Sequence, residues 1–85
     1  MKEIQYVITD ELGIHARPAG LLVKEASKFQ SDIKIKKADK EADAKRLFGI
    51  MGLAAKKRDA LVITAEGVDE AEAIVAMEEF LKANL

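Results

Sequence analysis

The sequence has no cysteine and no tryptophan. Without thiols there is no disulfide to staple a small fold and no thiolate set for a structural zinc. The only histidine, His15, leaves too few imidazoles for a zinc or iron centre, so neither a metal nor another cofactor is expected. Aromatic side chains are scarce: Tyr6, Phe29, Phe48 and Phe80 are the whole set. The core must therefore come from Ile, Leu, Val and Ala. With only Tyr6 on a strand pattern, the stacking platform of an RNA-binding sheet is missing. A net charge of −1 also excludes a general electrostatic grip on nucleic acid. No apolar run is long enough to span a membrane, and Met1-Lys2-Glu3-Ile4 lacks the apolar segment of a signal peptide. A cytoplasmic protein with one domain over residues 1–85 is the expectation.

Charge is scarce in sum but unevenly placed. Residues 34–58 carry nine Lys or Arg against three acids, and residues 59–85 carry seven acids against Lys82 alone. Such runs are either ordinary solvated faces or a dipolar surface that steers the molecule onto an acidic partner.

The single proline, Pro18, lies in Gly13-Ile14-His15-Ala16-Arg17-Pro18-Ala19-Gly20. Downstream, Ala19, Leu22, Val23, Ala26 and Phe29 recur at three- and four-residue steps, an amphipathic helical stripe. Proline suits the first turn of a helix and not its interior, so a helix begins here and runs over about 16–29. His15 then sits at or just before a helix N-terminus, where the free donors are the N–H groups of Ala16 and Arg17. A helix start carries roughly half a positive charge and offers its N–H groups to a phosphate or sulfate. Arg17 can add charge-assisted bonds to phosphoryl oxygens. Gly13 lets the loop approach closely. A neutral imidazole is a nucleophile, so these residues describe a site where an imidazole could accept and hold a phosphoryl group. The plainer alternative is a surface or capping histidine, and what favours the site is the coincidence of these residues in a chain with no other candidate for chemistry.

The remaining pattern gives the order β-α-β-β-α-β-α. Ile4, Tyr6 and Ile8 alternate as a first strand, and Ile33 and Ile35 as a second with one charged face. Residues 37–40 make a turn without the usual hairpin dipeptide, followed by a short strand at 41–44 with Ala42 and Ala44 inward. Leu47, Ile50, Met51 and Ala54 space a short helix over about 46–53. Lys56-Lys57-Arg58 is a connector, and Leu61-Val62-Ile63 is a central strand ended by Gly67. Asp69 caps the last helix, with Glu72 placed for a capping box and Ala73, Ile74, Met77 and Leu81 as its buried stripe. The class is α+β, a four-stranded sheet with its helices on one face.

The segment Gly13 to Ala19 resembles the active-site signature of the HPr family, the histidine-containing phosphocarriers of the bacterial sugar phosphotransferase system. Lys45-Arg46-Leu47-Phe48-Gly49-Ile50-Met51-Gly52-Leu53 resembles that family's regulatory segment, and the spacing between the two motifs agrees over the whole chain. The resemblance implies an open-faced β-sandwich with an antiparallel sheet. It implies that His15 takes a phosphoryl group from phospho-Enzyme I, itself charged by phosphoenolpyruvate, and passes it to EIIA-type acceptor domains for sugar uptake. Arg17 and the Ala16 and Arg17 amides would stabilise the transferring group. Ile14, Gly20, Arg46, Leu47, Phe48 and Met51 would form the docking surface, since the short second helix cannot bury Leu47, Phe48 and Met51 together.

One departure matters. Many members of the family carry a phosphorylatable serine where this chain has Arg46, so no phosphoserine-dependent regulator is expected. Two further readings follow from the same residues. One is a paralogue serving a nitrogen-type regulatory relay; the other is an interaction module whose histidine is never phosphorylated. The intact His15-Ala16-Arg17-Pro18 argues against the latter, because binding alone has no need of an imidazole there.

Overall fold

The computed structural model describes residues 1–85. Its elements are β1 (Lys2–Val7), α1 (Ala16–Ala26), β2 (Asp32–Lys37), β3 (Lys40–Asp43), α2 (Leu47–Gly52), β4 (Ala60–Glu66) and α3 (Glu70–Asn84). The strands form one antiparallel sheet in the order β1-β4-β2-β3. Register follows the alternation: Ile4 lies opposite Ile63, and Ile63 opposite Ile35, so the apolar residues fall on one face. That face is covered by helices, with α3 on β1 and β4, α2 on β3, and α1 touching both other helices. The expected open-faced sandwich is thus observed.

A single cluster of buried residues fills the space between the layers. Ile33, Ile35, Leu61, Ile63 and Ala65 come from the sheet, and Ala19, Leu22, Ile50, Ala73, Met77 and Leu81 from the helices. β4 is central by pairing, yet only alternate residues are buried, because the sheet's other face meets solvent. The β2–β3 hairpin closes through Ala38 and Asp39, with Ala38 at φ 55° in the place where such turns favour glycine.

One boundary and one cap differ from the sequence reading. α1 stops at Ala26 rather than near Phe29, and the chain leaves through three-residue bonds from Lys28 N–H to Glu25 O and from Phe29 N–H to Ala26 O. Phe29 still packs against the core from that turn. At α3 the capping box does not form. Asp69 occupies the N-cap without a side-chain cap, and its carboxylate instead accepts the N–H groups of Gln30 and Ser31, each at 2.9 Å, and the Ser31 hydroxyl. Local capping loses to a tie between distant segments, which satisfies two donors at the end of the α1–β2 connection. The Ser31 hydroxyl, then the Gln30 N–H, hold the Asp69 carboxyl below its usual range. No helix is long and apolar enough to cross a membrane.

Candidate functional site

The loop before α1 is tied down at both ends. Ile8 N–H donates to Asp59 O at 3.1 Å, and Arg58 N–H donates back to Ile8 O at 2.8 Å. The N–H groups of Thr9 and Asp10 both reach Leu85 O, at 2.6 and 2.8 Å. Leu12 N–H bonds to the Asp10 carboxylate at 3.0 Å, and Ile14 N–H to Ala55 O at 3.0 Å. Gly13 sits at φ 65°, and a Cβ there would overlap Ala55 O and lie 2.7 Å from Lys56 Cα. Only glycine fits that turn. Ile14 follows with its side chain buried in the core, which corrects the expectation that it belongs to a docking surface. It plugs the loop into the fold and leaves His15 at the rim.

His15 is the N-cap of α1, extended at φ −118° and ψ −177°, and its imidazole makes no capping hydrogen bond. The first helical bond runs from Ala19 N–H to His15 O at 3.0 Å, so the N–H groups of Ala16 and Arg17 precede any intrahelical acceptor. Pro18 is buried beneath them, Ala16 and Arg17 are exposed, and His15 is half-buried. No acidic side chain lies in the first turn, so nothing there opposes an anion. His15, Ala16 and Arg17 thus lie consecutively at the start of α1, an uncapped imidazole followed by two residues whose N–H groups have no intrahelical acceptor.

The second motif forms α2, with Arg46 at its N-cap. Ile50 is buried, Leu47 half-buried, Met51 38 % exposed and Phe48 84 % exposed. The short helix buries Ile50, and Phe48 stands in solvent. α2 packs against α1, which has exposed residues of its own. Arg17 and Gly20 are among those, and so is Leu21, 45 % exposed, which the sequence reading missed. Its signal was available: Leu21 lies off the Ala19, Leu22, Val23, Ala26 stripe, so it must point outward. Neither Arg17 nor Arg46 is held in an ion pair. A recess on the open face of the sheet, lined by residues such as Lys34, Lys36, Val62 and Thr64, includes none of these residues. His15 is half-buried, and Phe48, Met51 and Leu21 are exposed apolar side chains, the kind of surface that commonly marks partner contacts.

Comparison with known proteins agrees with this geometry. The family model described as the PTS HPr component phosphorylation site matches residues 2–83. The phosphocarrier protein HPr of Mycoplasma genitalium is 42% identical over 85 residues, covering 99% of this chain and 97% of that protein. Among solved structures, the histidine-containing phosphocarrier protein of Mycoplasma superposes with a TM-score of 0.94 at 38% identity, covering 96% of this chain and 93% of that one. HPr of Thermoanaerobacter tengcongensis gives 0.93 at 42% identity, covering 98% and 93%. A helix-terminal histidine in this fold, with near full-length likeness in sequence and structure, places the chain in the HPr family of phosphocarriers of the phosphotransferase system.

Proposed function

We propose that the chain acts as one domain in the cytoplasm and carries a phosphoryl group on His15. It receives the group from phospho-Enzyme I, charged by phosphoenolpyruvate, and delivers it to EIIA-type acceptors for sugar uptake. The observation that supports this most directly is the uncapped imidazole of His15 at the start of α1, beside the Ala16 and Arg17 donors.

In the transfer a ring nitrogen (Nδ1 in the family) attacks phosphorus in line, forming one P–N bond as the donor's bond to phosphorus breaks. The equatorial oxygens gather charge, and in this reading the Ala16 and Arg17 N–H groups and the Arg17 guanidinium stabilise it. Such transfer needs little covalent assistance, so positioning and electrostatics supply most of the rate. Passing the group on is the same displacement reversed, with the acceptor as nucleophile. Gly20, Leu21, Leu47, Phe48 and Met51 supply the apolar docking surface, and Arg17 and Arg46 the positive charge that an acidic partner recognises. With Arg46 in place of serine, the chain is not regulated by phosphorylation at that position.

Incubation with phosphoenolpyruvate, magnesium and a bacterial Enzyme I tests the proposal. An acid-labile, base-stable mass increase of one phosphoryl group is expected, and His15→Ala abolishes it. Absence of labelling with a competent sugar-type donor, followed by labelling with a nitrogen-type donor, assigns the chain to the regulatory relay. Failure with both overturns the carrier role.

A further inference from the structure

The connector between α2 and β4 is where the His15 loop rests, and one side chain outside both motifs holds that connector. Lys37, the last residue of β2, directs its ammonium to the α2 C-terminus and bonds Leu53 O at 3.2 Å and Ala54 O at 3.1 Å. The same nitrogen lies 3.3 Å from the Asp59 carboxylate. Two carbonyls thus accept hydrogen bonds from the ammonium, and the carboxylate is its ion-pair partner. Asp59 in turn accepts Lys56 N–H at 2.8 Å, and this bond, followed by Lys37, holds its carboxyl below the usual range. The segment gathered this way contains two non-glycine residues at positive φ, Ala54 at 52° and Arg58 at 77°. Left-handed backbone at such residues persists where the surroundings fix it.

This segment is also the anchor of the functional loop. Ala55 O receives Ile14 N–H, the residue before His15, while Arg58 and Asp59 hold Ile8 at the loop's other end. Between them Lys57 pairs with Glu11 at 2.6 Å. The chain from ammonium to imidazole is short: Lys37, the Ala54–Asp59 segment, Ile14, His15.

Resting on the phosphoryl-transfer reading above, we infer that Lys37 is a positioning residue for His15, acting through the connector that it ties to the α2 C-terminus. It touches neither the imidazole nor the phosphoryl group. Its work is to fix Ala55 O and so the backbone that aims the ring.

Lys37→Met keeps the length of the side chain and removes the ammonium; Lys37→Arg keeps donors; Asp59→Asn keeps an acceptor for Lys56 N–H and removes the charge. Two readouts apply to the folded proteins: amide hydrogen exchange at Ile14, and the kcat and KM of the carrier as a substrate of Enzyme I. Lys37→Met is expected to speed Ile14 exchange about tenfold and to lower kcat by about tenfold with KM unchanged, since a small misplacement of a reacting group is costly in rate. Lys37→Arg restores both, and Asp59→Asn falls between. Unchanged Ile14 exchange in Lys37→Met overturns the inference, and so does a KM effect alone. If even the unmodified protein is not phosphorylated, the carrier reading fails, while the exchange measurement still decides whether Lys37 holds the loop.

Discussion

Adding a methyl group at Gly13 is the smallest change that tests how the site is built. An alanine there must adopt a φ near 65°, which costs an L-residue about 1–2 kcal/mol. Its Cβ also runs into Ala55 O and lies 2.7 Å from Lys56 Cα, so one backbone must retreat from the other. Retreat weakens the Ile14 N–H to Ala55 O bond, worth about 1 kcal/mol net. Together these give a loss of about 2–3 kcal/mol, offset only slightly by the stiffer unfolded chain. For a domain of this size that is a fall in melting temperature of about 10–20 °C. Gly20→Ala is the matched control, because it sits in α1 with nothing within 4 Å of the added carbon. There alanine's helical preference gives about 0.5–1 kcal/mol and a slightly higher melting temperature. Thermal unfolding by circular dichroism separates the two variants, and proton exchange at Ile14 shows whether the anchoring bond has opened. A Gly13→Ala protein melting within about 3 °C of the parent would refute the packing argument.

Phe48→Ala should leave stability within about 0.5 kcal/mol, since the ring is 84 % exposed. The same variant should bind Enzyme I about 10–100-fold more weakly if the ring is buried on docking, a comparison that calorimetric titration makes directly. Asp69 carries the pH dependence. Its carboxyl lies below the ordinary 3.8 in the folded protein, so its contribution is complete above that value and disappears as pH falls through the folded value. The melting-temperature gap between the parent and Asp69→Ala should therefore narrow on acidification below roughly pH 4; a gap that widens refutes the assignment. Finally, an ATP-dependent HPr kinase should place no label at position 46, and a labelled peptide containing Arg46 would contradict this.

The alternation of Ile33 and Ile35, the Pro18 helix start and the α3 stripe were legible because each reports a local periodicity that tertiary packing reinforces. His15 was legible for a different reason: a rare residue type stood beside the one proline that fixes a helix terminus. Ile14 and Asp69 were not. Both obey local rules that distant contacts override, Ile14 by entering the core and Asp69 by bonding Gln30 and Ser31 in place of its own helix. Lys37 lay between these cases. It has the same strand parity as Ile33 and Ile35, so its side chain points toward the helices, and a lysine on that side needs buried or terminal acceptors. Which acceptors they are depends on where α2 ends, and β2 carries no information about that.

The strand order has a consequence for assembly. β1 has no neighbour but β4, formed from residues 60–66. The His15 loop is moored to Ala55, to Asp59 and to Leu85. A ribosome that has delivered only the first half of this chain has therefore made the histidine and its helix without making anything to hold them. The β2–β3 hairpin closes locally, but pairing β1 with β4 waits on a long chain closure, the slow kind of step in folding. On the proposed role of His15, competence to accept a phosphoryl group is thus among the last properties the nascent chain acquires, even though His15 and Arg17 are among the first residues translated.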